Sequence, residues 1–136
     1  MTSNSFSPEV YRVIDANLNR LREGVRVVED LLRYKYNNKE LSTKLKSVRH
    51  KARVGEIKKL LEHRDSINDV LKISTQSEKN RKDILSILTA NFKRAEESAR
   101  VLEEIYKLQN TKDSENFKNI RYELYDLEKI TILNIL

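Results

Sequence analysis

Residues 16–29 and 90–103 are two versions of one sequence. Ala16-Asn17-Leu18-Asn19-Arg20-Leu21-Arg22-Glu23-Gly24-Val25-Arg26-Val27-Val28-Glu29 aligns with Ala90-Asn91-Phe92-Lys93-Arg94-Ala95-Glu96-Glu97-Ser98-Ala99-Arg100-Val101-Leu102-Glu103, with seven of fourteen positions identical. Chance would give about one. The likeness resumes where Leu45-Lys46-Ser47-Val48-Arg49 corresponds to Phe117-Lys118-Asn119-Ile120-Arg121. A chain built this way makes one local structure twice and packs the copies together, which removes most folds from consideration.

The repeated unit is helical. Ser7-Pro8 is a helix start, and Ile14, Leu18, Leu21, Val25, Val28 and Leu32 follow at the spacing of one helix face. Asn37-Asn38 breaks that pattern. A second helix carries Leu41, Leu45, Val48, Ala52, Ile57 and Leu61, with Gly55 as a bend, and fades near His63. Arg64 to Gln76 has no sustained period and reads as a loop. A third helix, from about Ser77, carries Ile84, Leu88, Phe92, Ala95, Ala99, Leu102 and Tyr106. After Gln109-Asn110, Asp113 and Ser114 are placed to cap a fourth, with Phe117, Ile120, Leu124, Leu127 and Ile130. Two Gly and one Pro leave few means of making tight β-turns. The expected fold is all-α: one domain, an antiparallel four-helix bundle made of two repeated helical hairpins with pseudo-two-fold symmetry. The hairpins span about 8–63 and 77–136, the loop between them is 64–76, and residues 12–52 should superpose on 86–124.

Several function classes drop out. Without cysteine there is no disulfide, thiolate metal site or thiol nucleophile. Met1 to Glu9 has no apolar signal core, and no apolar run approaches the roughly 20 residues of a membrane span, so the expected location is cytoplasmic. The formal net charge of +6 sits in one place. Between Lys39 and Arg64, nine basic residues face only Glu40, Glu56 and Glu62, so this stretch carries the whole excess. A localised basic element points to an anionic partner.

At 100° per residue, Asn17 and Gly24 lie at the edge of the first helix's core stripe, with Arg20 and Glu23 further round the same flank. The second repeat keeps Asn91, Arg94 and Glu97. Packing constrains surface positions little, so their retention suggests a task beyond solubility. Arg26 with Glu29 or Asp30, and Arg100 with Glu96 or Glu103, have ordinary ion-pair spacing instead. Gly24 and Ser98 are small enough to let a helix or ligand come close.

The run from Ile14-Asp15-Ala16-Asn17 to Val28-Glu29-Asp30 resembles a helical domain found alone or at the N-terminus of some bacterial thiamine-phosphate synthases. Ala90-Asn91-Phe92-Lys93-Arg94, Glu97, Arg100-Val101-Leu102-Glu103-Glu104 and Arg121-Tyr122-Glu123-Leu124-Tyr125 look like the same family. The resemblance runs from about Tyr11 to Glu128. It implies a monofunctional hydroxymethylpyrimidine phosphate kinase that ignores the free alcohol. In the loop Arg64-Asp65-Ser66-Ile67-Asn68-Asp69-Val70, this chain has Leu71 where the family pattern has Gly.

The residue inventory suits such chemistry. A phosphomonoester oxygen is already ionised near neutral pH, so phosphoryl transfer to it needs charge neutralisation and alignment more than a general base. Arg20 and Arg94 are the catalytic candidates; Arg49, Arg64 and Arg121, with Asn17 and Asn91, are candidates for binding phosphate or substrate. Glu23, Glu97, Asp65 and Asp69 are candidate ligands for the Mg²⁺ that accompanies ATP. The expected partners are ATP and a small phosphorylated pyrimidine, asymmetrically bound, with the ATP phosphates nearer the Lys39 to Arg64 side. There is no Walker-type glycine loop. His50 and His63 lack metal-ligand spacing, Tyr122 and Tyr125 read as packing residues, and Arg22 and Arg33 as solvated. Two other classes stay open: a nucleic-acid- or partner-binding helical module, which leaves the repeated flank unexplained, and a chorismate-mutase-like helical enzyme, which needs neither ATP nor Mg²⁺. A homodimer is left open by the sequence.

Overall fold

The computed structural model describes residues 6–109 and 111–136, apart from the Ser77 side chain; Asn110, expected at the break before the fourth helix, lies outside them. The described residues form helices and contain no strand. The first helix, α1, spans Pro8–Asp30; Ser7 Oγ accepts the Val10 N–H at 3.3 Å and Pro8 fills the first turn. It widens into a single π-turn, Leu31–Lys35, before it stops. Asn37 then takes a left-handed φ of 50°, which asparagine tolerates well, and the Asn38 side chain accepts the Leu41 N–H at 3.0 Å. Two asparagines thus end one helix and start the next.

The remaining helices are α2 (Lys39–Lys51), α3 (Ile57–His63), α4 (Gln76–Lys79), α5 (Ile84–Tyr106) and α6 (Thr111–Ile135). Three details differ from the sequence expectation. The predicted second helix is two, because the chain leaves helical geometry between Ala52 and Glu56. That break resets the phase, so α3 buries Leu60 and exposes Ile57 and Leu61. The long third helix starts at Ile84 rather than near Ser77, since Asp83 and Ser86 form a reciprocal cap there and only a single turn, α4, precedes it. Ser114 is not a cap. It is buried inside α6 and donates to the Glu103 carbonyl at 2.9 Å, tying α6 to α5.

Helix α1 packs on α2, α3 and α5, and α6 packs on α2 and α5. Phe6, just before α1, meets Tyr106 at the far end of α5, with ring centroids 5.7 Å apart. Gly24 meets α5 at Asn91 and Ala95, so the two helices run antiparallel. Ile14, Leu21, Val28, Leu45, Leu88, Leu102, Ile120 and Leu124 are fully buried between them, each worth about 1.5–3 kcal/mol. Among the described residues no helix is long and apolar enough to cross a membrane.

The two glycines have opposite surroundings. A Cβ on Gly24 would stand 3.0 Å from the Asn91 carbonyl oxygen, whereas one on Gly55 meets nothing within 4 Å. Gly24→Ala gains roughly 1 kcal/mol of helix propensity but must push a helix backbone aside, typically a loss of about 1–3 kcal/mol. Denaturant titration is expected to show Gly24→Ala about 1 kcal/mol less stable and Gly55→Ala within about 0.5 kcal/mol of the parent. A stabilised Gly24→Ala protein would mean the helices separate freely there.

Candidate functional site

A cleft of about 600 Å³ runs along the N-terminal half of α1, and the loop after α3 forms its other wall. Helix α1 contributes Arg12, Asn17 and Arg20; the loop contributes Arg64, Asp65 and Asp69. One ion pair holds the walls together. Arg64 donates to both carboxylate oxygens of Asp15 at 2.6 Å, and Asp15 is almost wholly buried. That hydrogen bond and the charges of Asp15 and Glu23 raise the Arg64 pKa further. The fork-on-carboxylate geometry fixes the direction of the guanidinium as well as its charge.

Beyond Arg64 the loop organises itself. The Asp65 carboxylate accepts the Asn68 backbone N–H at 3.2 Å and its side-chain amide at 2.9 and 3.1 Å. Those bonds, together with the charge of Arg12, hold the Asp65 pKa below its ordinary value, so the group stays ionised. Asp69 accepts the Leu71 N–H at 3.0 Å. Further along, Ile67, Val70, Leu71 and Ile73 all point into solvent.

On α1, the buried Asn17 donates to the Val13 carbonyl at 2.9 Å, and on α5 Asn91 makes the same bond to Ile87, also at 2.9 Å. Each is thereby fixed in orientation, with no partner on its amide oxygen among the described residues. Arg20 is exposed in the cleft and has no side-chain partner among the described residues. Arg94, Glu97 and Asn91 belong to α5 and do not line the cleft; Arg94 flanks Ala95, where α5 touches α1, and lies in the field of Glu78. Glu23 is exposed one turn beyond Arg20.

Arg49 and Arg121 are placed differently. Arg49 donates to both oxygens of the buried Glu29 at 2.7 and 3.1 Å, and Arg121 engages the buried Glu103 at 2.8 and 2.9 Å. The two pairs stand at positions that align in sequence, as do the weaker contacts Arg26–Glu29 (3.9 Å) and Arg100–Glu103 (3.7 Å). Tyr122 and Tyr125, expected as packing residues, are exposed and lie against Arg121, 5.0 and 5.7 Å from its guanidinium carbon. Arg22, expected in solvent, donates to the Ala52 carbonyl at 3.0 Å, because the end of α2 leaves that acceptor without a helical partner. Sequence reasoning gave no role to Asp15 or Arg12.

Glu96 stands apart from the cleft. It is buried, shares Lys93 with Glu128 through two 3.0 Å bonds, and has one oxygen without a partner. Burial first, and the neighbouring Glu128 second, push its pKa up to about 7 despite Lys93. A carboxyl raised in the folded state favours folding most when both states carry the proton. Stability should therefore fall by about 3 kcal/mol as pH rises from about 4.5 to about 7 and then level off. Unfolding curves at pH 5 and pH 8 are expected to show this decline in the parent and not in Glu96→Gln; an equal decline in both would assign it elsewhere.

Among the described residues no three His, Cys, Asp or Glu side chains converge as a metal site on their own. Asp65 and Asp69 do stand together on the cleft wall, and a Mg²⁺ carried by nucleotide phosphates takes only one or two carboxylates.

A protein whose described residues are all helical or loop, with a surface cleft that sets three arginines among four carboxylates, is the class defined so far. Residues 12–130 match the ThiD2 family, and the chain belongs to that family. It is 40% identical over 120 residues to the thiamine-phosphate synthase of Nostoc sp. (strain PCC 7120), with 88% of this chain and 34% of that protein covered. It is 39% identical over 120 residues to the same-named protein of Nostoc punctiforme, covering 88% and 34%, and 38% identical over 124 residues to that of Thermosynechococcus vestitus, covering 90% and 35%. The chain thus spans about a third of the length of the curated relatives it matches. No solved structure matches it.

Proposed function

We propose that this protein transfers the γ-phosphoryl group of ATP to hydroxymethylpyrimidine phosphate, forming the pyrophosphate and ADP, as a step of thiamine biosynthesis in the cytoplasm. The observation that carries the reading is Arg20, an unpartnered guanidinium beside the fixed Asn17 and the clamped Arg64, in a member of this family. A phosphate oxygen of the monoester attacks the γ-phosphorus, the bond to the β–γ bridging oxygen breaks, and ADP leaves with the electron pair. No net proton moves, so no general base is required. Arg20 and Arg12 neutralise the incoming phosphate, and Arg94 adds its charge from α5, outside the cleft. Asp65 and Asp69, with Glu23 or Glu97 as alternatives, would hold the Mg²⁺ whose charge offsets that of the nucleotide. Arg49 and Arg121 contribute by holding α2 and α6 in place.

The matching Arg–Glu pairs and the matching Asn bonds support reading the four long helices as an antiparallel bundle of two repeated hairpins related by a pseudo-two-fold axis. With Mg-ATP and hydroxymethylpyrimidine phosphate, the purified protein is expected to release ADP and the pyrimidine pyrophosphate in equal amounts, followed by phosphorus NMR. Free hydroxymethylpyrimidine should not be turned over. Phosphorylation of the free alcohol at a similar rate, or product formation without ATP, would sink this reading.

A further inference from the structure

The Asp15–Arg64 bridge has a cavity on each side. Across it from the α1 cleft lies a second, smaller pocket of about 310 Å³ between α1 and α3, a volume at the lower end of small-molecule sites. One part of its lining is aliphatic: Leu18 and Leu60 are buried there, while Ile57 and Leu61 are 54% and 55% exposed. The two exposed residues sit one turn apart on a helix of only seven residues, so α3 turns an apolar pair toward an open pocket. Arg22 and Arg53 stand on the rim, each anchored through one bond to a backbone carbonyl, at 3.0 and 2.8 Å, with other guanidinium N–H groups left over.

We propose that this pocket holds the base of the nucleotide, and that its phosphate chain crosses the Asp15–Arg64 bridge into the α1 cleft. The inference rests on the phosphoryl-transfer reading and divides the two substrates between the two cavities. Charge decides which goes where. The pocket carries Arg22, Arg53 and Arg64 against Asp15 alone, whereas the α1 cleft sets Arg12, Arg20 and Arg64 against four carboxylates. The first phosphates of the chain therefore lie against Arg22, Arg53 and Arg64 at the rim of the pocket, and only its end passes the bridge to meet Arg12 and Arg20 in the cleft. Ring chemistry agrees. An amino-substituted pyrimidine carries an exocyclic amine that donates, and the Asn17 amide oxygen in the cleft can accept from it. A purine offers a broad flat face that aliphatic side chains cover without specific bonds.

The test uses the full chain and Mg-ADP, with inorganic pyrophosphate as a probe that has phosphates but no base. In the double variant Ile57→Gln, Leu61→Gln, both exposed positions, the Kd for Mg-ADP by titration calorimetry is expected to rise at least tenfold. Affinities for pyrophosphate and hydroxymethylpyrimidine phosphate should stay within twofold. In the parent protein, methyl NMR signals of Ile57 and Leu61 should shift on adding Mg-ADP, a readout that does not depend on the variant folding. An unchanged ADP affinity, unmoved methyl signals, or a loss confined to the pyrimidine phosphate would overturn the assignment while leaving the kinase reading intact. A parent chain that turns over no ATP and binds no ADP would remove both.

Discussion

Arg20→Ala is expected to lower kcat by about two orders of magnitude while the unfolding transition stays where it was. The side chain stands exposed in the α1 cleft with no partner to lose among the described residues, so its truncation leaves no buried charge uncompensated. What disappears is a guanidinium facing the transferring phosphoryl group, an interaction typically worth about 3 kcal/mol of barrier. Arg94→Ala is expected to behave alike if both flanks serve one site, with a smaller loss because Arg94 lies outside the cleft. Arg26→Ala is the control: its guanidinium is half exposed and pairs only with Glu29 and Asp30 along its own helix, a contact worth a few tenths of a kcal/mol. Steady-state kinetics and thermal melts on the three variants separate the cases. An Arg20→Ala protein that unfolds early, or turns over at the parental rate, would make the flank structural.

Arg121→Ala should do the reverse, removing about 3–5 kcal/mol of stability, because it strands the Glu103 carboxylate in the interior. Arg121 itself is buried, so water cannot readily take the guanidinium's place. Replacing both partners by leucine should recover most of the loss, since two apolar side chains leave no charge behind. Arg49→Ala, which strands Glu29, should fall in the same range. Urea titrations of the single and double variants measure the difference. Unchanged stability together with a lost affinity for pyrophosphate would instead make Arg121 a phosphate ligand, as its place in the repeat first suggested.

Helix positions and most of the core were legible because the apolar stripe of each long helix is regular and because Ser7, Pro8, Asn37 and Asn38 are strong local signals. Leu60 was misread. The Ala52–Glu56 break carries no proline and a glycine in ordinary backbone geometry, so nothing local announces that the phase resets. In the site, the repeat acted as a filter. It selected Asn17, Arg20 and Glu23, which have counterparts in the other half. It also selected Arg49 and Arg121, whose retention is equally explained by two equivalent buried ion pairs. It passed over Asp15 and Arg12, whose counterparts are Thr89 and Ser86. A pair that exists in only one half, such as Asp15 with Arg64, is invisible to a method that looks for likeness. An acidic residue directly beside the core position Ile14 was the available clue.

The buried ion pairs share one further property. Glu29–Arg49 joins α1 to α2, Glu103–Arg121 joins α5 to α6, and Asp15–Arg64 holds the following loop to α1. An ion pair that does cross from one half to the other, Lys51–Glu123, lies between two half-exposed side chains. Glu29, Asp15 and Glu103 are therefore each matched within their own half, and parting the halves strands none of these three carboxylates. Severed in the exposed loop after Arg64, the chain would behave as two subunits rather than as one broken protein. Their union would then rest on apolar packing and on concentration, the terms that govern a dimer.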